Sequence, residues 1–401
     1  MTPAPHFQGV CANHRIQEQG ILELKIESPA KRKITERLAR LLSLVSLLAV
    51  CSLTPAVAAP PASQVKFNDE GIALVDGKPF FPIGVFTYNI DPTVLAELRE
   101  VHCNTVVYGF NPDQLNLLHD HGLMAICQTT EPWIKAAKDH HALLAWYLTD
   151  EPENRGVTPE GERQRYLDLK KLDPNHPIGL CHTAHWALDK YKDACDFTMT
   201  DIYPITKDRD KNIMGVSIMM DEARRIHGQA WPQWTFIQTF GGPEADQGVW
   251  AVPLPHELRF MTYQALVHRA TGILYFSYWP QQPRTWQSLA TLNGEIQSLV
   301  PRLVAPGSES MLTADDPDIQ VRQRATRDNK SGVIIAINTK PKFAQTTIHL
   351  SSSPPELSAP FEGRTPTIRQ KNQLVERFSP YGVHVYTWGP EPNVTLAREQ
   401  H

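Results

Sequence analysis

The chain has 401 residues, enough for one large domain plus a small one with a sizeable core. Its composition is that of an ordinary globular protein, and 39 Lys/Arg against 43 Asp/Glu give a formal net charge of −4. A mildly acidic chain with no basic tract is poorly suited to gripping phosphate backbones, so no nucleic-acid partner is expected.

The first 58 residues stand apart. Lys31, Arg32, Lys33, Arg37 and Arg40 precede an apolar stretch at 41–53, and Ala56-Val57-Ala58 comes after it. Charged, then apolar, then small residues is the order of a secretory signal, which predicts cleavage near Ala58/Ala59 and a secreted or periplasmic location. The apolar stretch is too short to span a bilayer comfortably, so no stable membrane insertion is expected. Removing 1–58 takes away seven Lys/Arg and four Asp/Glu and leaves a net charge of −7. Cys103, Cys127, Cys181 and Cys195 remain without any Cys-x-x-Cys spacing, which argues against metal binding through thiolates. Cys127 and Cys181 lie inside apolar runs and read as small core residues; Cys103 and Cys195 are open to a disulfide in an exported protein.

Residues 65–81 carry two short strand-like pieces around Asp76-Gly77, a two-residue turn signal, and the resulting hairpin is expected to close the bottom of the large domain. From residue 81 onward, apolar runs alternate with amphipathic stretches. The runs are 81–89, 104–110, 123–129, 143–150, 177–183, 197–205, 233–240 and 271–279. Helical stretches between them are clearest at 92–101, 112–121, 159–172, 212–227, 255–269 and 286–303, several opening on Pro and two closing on Gly122 and Gly228. Eight such units predict an α/β fold, a (β/α)8 TIM barrel over 65–305 with its N-terminal hairpin. Beyond Pro306 the texture changes to Ser, Pro, Thr and short alternating runs at 332–338, 346–350 and 382–388. These predict a small antiparallel β-sandwich-like domain over 306–390, with a tail at 391–401.

The stretch 143–153, Leu-Leu-Ala-Trp-Tyr-Leu-Thr-Asp-Glu-Pro-Glu, reads as a strand covered on both faces that delivers carboxylates to a rim. Pro152 ends the pairing because it has no donor, which puts Asp150 and Glu151 at the carboxyl end, where a barrel builds its chemistry. The other strand ends carry matching residue types: Tyr88 and Asn89, Tyr108, Gln128 and Glu131, His182, Asp201 and Tyr203, Gln238, Tyr278 and Trp279. Carboxylates and amides suit sugar hydroxyls, and aromatic faces suit the C–H side of a sugar ring. Singly, each has a structural explanation: Tyr108 or Tyr275 as core, His182 as a hydrogen-bonded rim residue. Their joint placement is harder to explain that way. His182 and His185 make a His-x-x-His, but without the glutamate and third ligand of a hydrolytic zinc motif no metal and no cofactor are expected.

Three segments carry a family resemblance: 76–84 with Asp76-Gly77-Lys78-Pro79, the Trp146-to-Pro152 stretch with Asp201-Ile202-Tyr203-Pro204, and Tyr275-Phe276-Ser277-Tyr278-Trp279. Together they resemble clan-A-type glycoside hydrolases, the superfamily of family 42 and family 2 β-galactosidases and many cellulase-like enzymes, over most of 65–305. In that clan the fourth strand ends in Asn-Glu with the glutamate as general acid/base; Glu151 matches the glutamate and Asp150 stands at the asparagine. Trp279 matches an aromatic platform on the eighth strand. The clan's nucleophile is a glutamate ending the seventh strand, where this chain has Gln238, which cannot be a carboxylate nucleophile. Asp201, Glu244 and Asp150 are the candidates for the second carboxylate, Asp201 first because it lies at a strand end.

The resemblance therefore implies an exported glycoside hydrolase acting on a poly- or oligosaccharide. Glu151 would be the proton donor, its pKa raised by neighbours such as Asp150; Asp201 or Asp150 would be its catalytic partner. Tyr88, Asn89, Gln128, His182, Tyr203, Gln238, Glu244 and Trp279 would bind substrate. The alternative is a catalytically silent carbohydrate-binding barrel, motivated by Gln238 in the nucleophile's place. Nothing in the residues bears on oligomeric state.

Overall fold

The computed structural model describes residues 61–209, 213–242, 245, 248–278, 282–351, 356–366, 368–369 and 372–397. The segment 1–58, Glu244, Trp279 and the end of the tail lie outside the described residues. Strands β1 (Val65–Phe67), β2 (Ala73–Val75) and β3 (Lys78–Phe80) form an antiparallel sheet, one strand more than the sequence suggests. Asp76 (φ 51°) and Gly77 (φ 81°) make the turn between β2 and β3, both left-handed as a two-residue hairpin turn requires. This sheet lies across the amino ends of the barrel strands: the Phe67 ring stacks edge-on against Phe197 at 5.6 Å and Trp234 at 6.0 Å.

The barrel is built in strict alternation. Its strands are β4 (Ile83–Phe86), β5 (Thr105–Tyr108), β6 (Met124–Gln128), β7 (Leu143–Asp150), β8 (Ile178–His182), β9 (Phe197–Thr200), β10 (Gln233–Gln238) and β11 (Gly272–Phe276). All eight are parallel and close in the order β10-β11-β4-β5-β6-β7-β8-β9. The helices among the described residues are α1 (Pro92–Glu100), α2 (Pro112–Asp120), α3 (Glu131–Ala137), α4 (Pro159–Leu172), α5 (His185–Leu188), α6 (Gly215–His227), α7 (Pro255–Val267) and α8 (Pro283–Val304). Their starts are written locally. The Asp91 carboxylate accepts from the N–H of Thr93 and Val94 ahead of α1, and Asn111 with Gln114 makes a reciprocal capping box ahead of α2. Helices α3 and α5, of seven and four residues, are too short for a 3.6-residue period to declare itself.

Strand β9 stops at Thr200, although the apolar run continues to 205. Pro204 has no N–H to pair, and the segment after Asp201 leaves the sheet to become the wall of the barrel mouth.

The C-terminal strands are β12 (Gly307–Ala314), β13 (Ile319–Thr326), β14 (Gly332–Asn338), β15 (Ala344–His349), β16 (Ile368–Arg369), β17 (Gln373–Phe378) and β18 (Val383–Trp388). They form one antiparallel sheet in the order β16-β17-β15-β12-β13-β14-β18. It folds at β12, where Gly307 to Leu312 pair with β13 while Thr313 and Ala314 pair with β15. A bridge from Ser358 to Thr387 nearly closes the sheet around Val321, Ile334, Ala336, Ile348, Leu374 and Tyr386. Alternate residues of β14, Val333, Ile335 and Ile337, face the other way into the core beneath the barrel helices, and Tyr381 meets Phe260 of α7 at 5.1 Å. This is why β14 reads as an unbroken apolar run: it is buried on both faces.

Candidate active site

The strand that delivers the carboxylates carries an irregularity that decides where they point. Along β7, Trp146 faces the helical layer and Tyr147 the barrel interior. Simple alternation would then turn Asp150 outward, the parity of Trp146 and Leu148. Instead the register with β8 shifts between Tyr147 and Asp150. Leu148 packs in the outer layer and the Thr149 hydroxyl also faces outward, accepting from Arg165 of α4 at 2.6 Å. The bulge thus returns Asp150 to the inside, where its Oδ1 accepts from the Tyr147 hydroxyl at 2.5 Å. Its Oδ2 accepts from Arg155 Nη2 at 2.5 Å, and Arg155 Nε also reaches the Asp150 carbonyl.

Glu151 comes next with φ 48°, a left-handed conformation that residues other than glycine rarely adopt and that costs on the order of 1 kcal/mol. The turn after it braces it: the N–H groups of Asn154 and Arg155 donate to the Glu151 carbonyl, and Asn154 Nδ2 donates to Glu151 Oε2 at 2.9 Å. The Glu151 side chain is buried, and so is Asp201, which comes directly after β9 and donates its N–H to the His182 carbonyl. Asp201 Oδ1 finds no donor among the described residues. Its neighbours are themselves acids, Asp150 and Glu151, and carboxyls crowded together out of water resist ionising all at once. Burial first, then the negative charges of Asp150 and Glu151, push the Asp201 carboxyl well above the usual carboxylate range. A carboxyl held up by acidic neighbours thus lies beside Glu151, the residue at which the sequence led us to expect one. Its cause is the burial of Asp201 among other acids, which no local pattern reveals.

A carboxylate oxygen of Asp150, one of Asp201 and the sulfur of Cys181 lie within 4.8 Å of one another. These are the described residues whose donor atoms could approach a metal ion together. Burial holds the Cys181 thiol well above its ordinary value, so it stays protonated and is a poor ligand, and Arg155 already neutralises Asp150. Cys103, Cys127, Cys181 and Cys195 are free and buried, so Cys103 and Cys195 form no disulfide.

The remaining rim residues divide. Tyr203 joins the site: burial and then the neighbouring Asp201 carboxyl hold its hydroxyl well above its ordinary range, and its ring stacks on Phe276 at 5.5 Å. Tyr88 and Asn89 are exposed at the mouth, and Gln128 is half-buried at the end of β6. His182 is buried, its Nδ1 2.9 Å from Glu153 Oε2. Burial raises Glu153, but His182 and the N–H of Thr183 more than offset this and hold the carboxyl below its usual range. His182 and Glu153 thus pin the β8 loop to the β7 turn. Glu131 is an exposed first-turn residue of α3 paired with Lys135 at 2.8 Å.

The polar atoms of Gln238 are taken up by backbone groups. Its side chain is fully buried; Oε1 accepts from the Ile205 N–H at 2.9 Å, and Nε2 donates to the carbonyls of Ile205 (2.9 Å), Phe240 (3.2 Å) and Ala251 (3.2 Å). It fastens the loop after β9 to the loop after β10, which requires an amide that donates and accepts. Gln238→Glu should therefore create no nucleophile. It should lower stability by about 2–4 kcal/mol, because a carboxylate would meet three carbonyls with no proton to offer. A chemical-denaturation midpoint unchanged by the substitution would contradict this.

Sequence reading missed Tyr147, Glu153, Asn154 and Arg155, which position the acids, and the rings of Phe86, Trp133, Phe240, Trp250 and Phe276, which line the mouth. The one available signal was proximity: Glu153 to Arg155 directly succeed the acid pair in the same turn.

No protein-family model matches the chain, and no curated protein matches it. Solved structures do resemble it. A glycoside hydrolase family 5 protein from Bacteroides vulgatus superposes with a TM-score of 0.56 at 11% identity, over 83% of this chain and 96% of that one. A family 27 β-L-arabinopyranosidase from Geobacillus stearothermophilus, in complex with arabinose, gives 0.54 at 10% identity, over 77% and 97%. An α-amylase from Geobacillus thermoleovorans, complexed with acarbose, gives 0.53 at 10% identity, over 81% and 100%. The names they carry differ from the family 42 and family 2 enzymes that the sequence motifs resemble. What the chain shares with these glycoside hydrolases is the fold, an eight-stranded parallel barrel.

Proposed function

We propose that the protein is a glycoside hydrolase in which Asp201 and Glu151 share the proton delivered to the glycosidic oxygen and Asp150 is the opposing carboxylate. The observation that carries this reading is the convergence of three carboxyls at the ends of β7 and β9, with Asp201 buried among them and held above the usual carboxylate range. Such a pair titrates as a unit, so the proton belongs to both residues. The oxygens of Asp150 and Asp201 lie within 4.8 Å. An approach within that limit falls short of the about 6.5–9.5 Å that admits a water between the two, which favours a retaining pair over an inverting one. Asp150 accordingly bonds to the anomeric carbon as the protonated alcohol leaves. Water, deprotonated by the Asp201–Glu151 pair, then releases the sugar.

A panel of plant and microbial glycans, scored for new reducing ends and for product anomer by NMR, tests the proposal. Release with the anomeric configuration preserved is expected. Inversion would assign Asp150 to activating water, and binding without release would favour the silent barrel instead. We further propose export directed by residues 1–58, which N-terminal sequencing of the exported chain at Ala59 checks.

A further inference from the structure

A band of aromatic rings crosses the barrel mouth and reaches a ring that packing does not cover. From Trp133 in α3 it runs to Tyr108 at 5.5 Å and on to Tyr88 at 4.4 Å. From Tyr88 it continues to Phe86 at 5.1 Å, then through Phe276 at 5.1 Å to Tyr203 at 5.5 Å. Phe86 is buried and Tyr108, Trp133, Phe276 and Tyr203 are half-buried, but Tyr88 is 64% exposed. An exposed ring continuous with others is an apolar patch at a cleft, which marks a binding surface more often than a lone exposed side chain does. The wall is also built: a Cβ on Gly109 would sit 2.2 Å from the Trp133 ring, so the absence of a side chain is what lets Trp133 lie across the strand end against Tyr108. Finally the wall adjoins the acids. Tyr108 of β5 pairs in register with Cys127 of β6, Gln128 of β6 with Tyr147 of β7, and the Tyr147 hydroxyl donates to Asp150. Burial, then Tyr108, then the charge of Asp150 also hold the Tyr88 hydroxyl above its ordinary range.

We infer that Tyr88, Tyr108 and Trp133 form a second sugar subsite beside Asp150, holding the neutral unit that adjoins the cleaved bond, so that the substrate is a neutral oligosaccharide rather than a single glycoside. The inference rests on the glycosidase reading for its chemistry, but its binding can be measured alone. An aromatic face stacks on the C–H side of a pyranose without needing charge. The surroundings disfavour an acidic sugar: Asp150, Glu151, Glu153 and Asp201 crowd the site, and the nearby Arg155 guanidinium is already paired with Asp150. Those carboxyls also account for polarity at one end of the wall and stacking surface at the other, the arrangement a hydroxyl-rich ring with an apolar face can use.

Titrating the full chain with cellotriose, xylotriose, maltotriose and trigalacturonate, alongside glucose and xylose, by calorimetry and tryptophan fluorescence tests this. At least one neutral trisaccharide should bind roughly tenfold more tightly than its monosaccharide, the scale of a well-stacked ring. Tyr88→Ala and Trp133→Ala should each abolish most of that ratio, and Tyr88→Phe should keep it. Should Trp133→Ala fail to fold, Tyr88→Ala decides, since its exposed side chain supports no core. A ratio unchanged in Tyr88→Ala, no preference for any neutral trisaccharide, or tighter binding of trigalacturonate would each overturn the inference. Hydrolysis that proceeds with the ratio indifferent to Tyr88 removes the subsite alone. A Tyr88-dependent ratio with no hydrolysis of any glycan removes the glycosidase reading and leaves the subsite standing.

Discussion

Asp201→Asn is expected to lower turnover on glycosides with poor leaving groups by about 10² to 10⁴, the usual contribution of a positioned proton donor. Aryl glycosides with acidic leaving groups need less protonation and should suffer much less. Asp150→Asn should damage both classes, because it removes the group that bonds to the sugar. Glu151→Gln should resemble Asp201→Asn, and the double variant should be little worse than either, since two residues that hold one proton act as a unit. Full activity of Asp201→Asn on unactivated substrates would remove it from the proton-donor role. The same substitution carries a second readout with the opposite sign. The folded-state pKa of Asp201 is raised above its unfolded value, so the folded protein binds the extra proton. That contribution to stability is fully present below about pH 4 and is lost as pH rises through the folded-state pKa. An amide keeps a donor for Glu151 at every pH. Asp201→Asn should therefore be more stable than the parent at pH 7–8, by about 1–2 kcal/mol, with the margin growing as pH rises. Thermal melts at pH 5 and pH 8 that show the margin shrinking with pH would refute the buried-proton assignment.

The second large effect lies away from the mouth, where the β-domain meets the barrel. Glu309 on β12 is held by three arginines: Arg324 at 2.5 Å, and Arg269 and Arg322 in closer contact. Arg324 reaches in turn to Glu70, between β1 and β2, at 2.5 Å. The cluster therefore ties the β-domain, the helical layer and the N-terminal sheet together. Burial raises the Glu309 carboxyl, but Arg322, Arg324 and Arg269 outweigh this and hold it at about 2. Glu309→Ala would leave the buried guanidiniums of Arg322 and Arg324 facing each other without their carboxylate, which should cost about 3–5 kcal/mol. A depressed carboxyl contributes stability that is present above its unfolded pKa. Here that contribution is about 3 kcal/mol, complete above about pH 4.5 and lost as pH falls toward about 2. Urea midpoints of parent and Glu309→Ala should converge as pH falls through that window. Parallel curves from pH 7 to pH 3 would show that the cluster adds nothing.

The sequence by itself determined the barrel, because every signal needed for it is local. Apolar runs of strand length, proline at helix starts, Asp91 and Asn111 as caps, and the Asp76-Gly77 turn each act within a few residues. Their repetition along the chain admits one architecture. It also determined that acids gather at the ends of β7 and β9, since a carboxylate just after a buried run has only the rim to occupy. The tertiary structure decided how those acids face one another. Asp150 faces inward only because β7 slips against β8, a register event between chain segments about thirty residues apart, invisible to period-2 reading. Gln238 looked like a lost nucleophile in sequence, and its contacts with Ile205, Phe240 and Ala251 make it a clasp. The Asp201 carboxyl is held above its usual range because it is buried beside Asp150 and Glu151, and the Tyr88 subsite exists only where rings from the ends of β4, β5 and α3 meet. Periodicity records which face of its own element a residue occupies; protonation and stacking depend on what other elements bring to within a few ångströms, which only closure of the barrel sets.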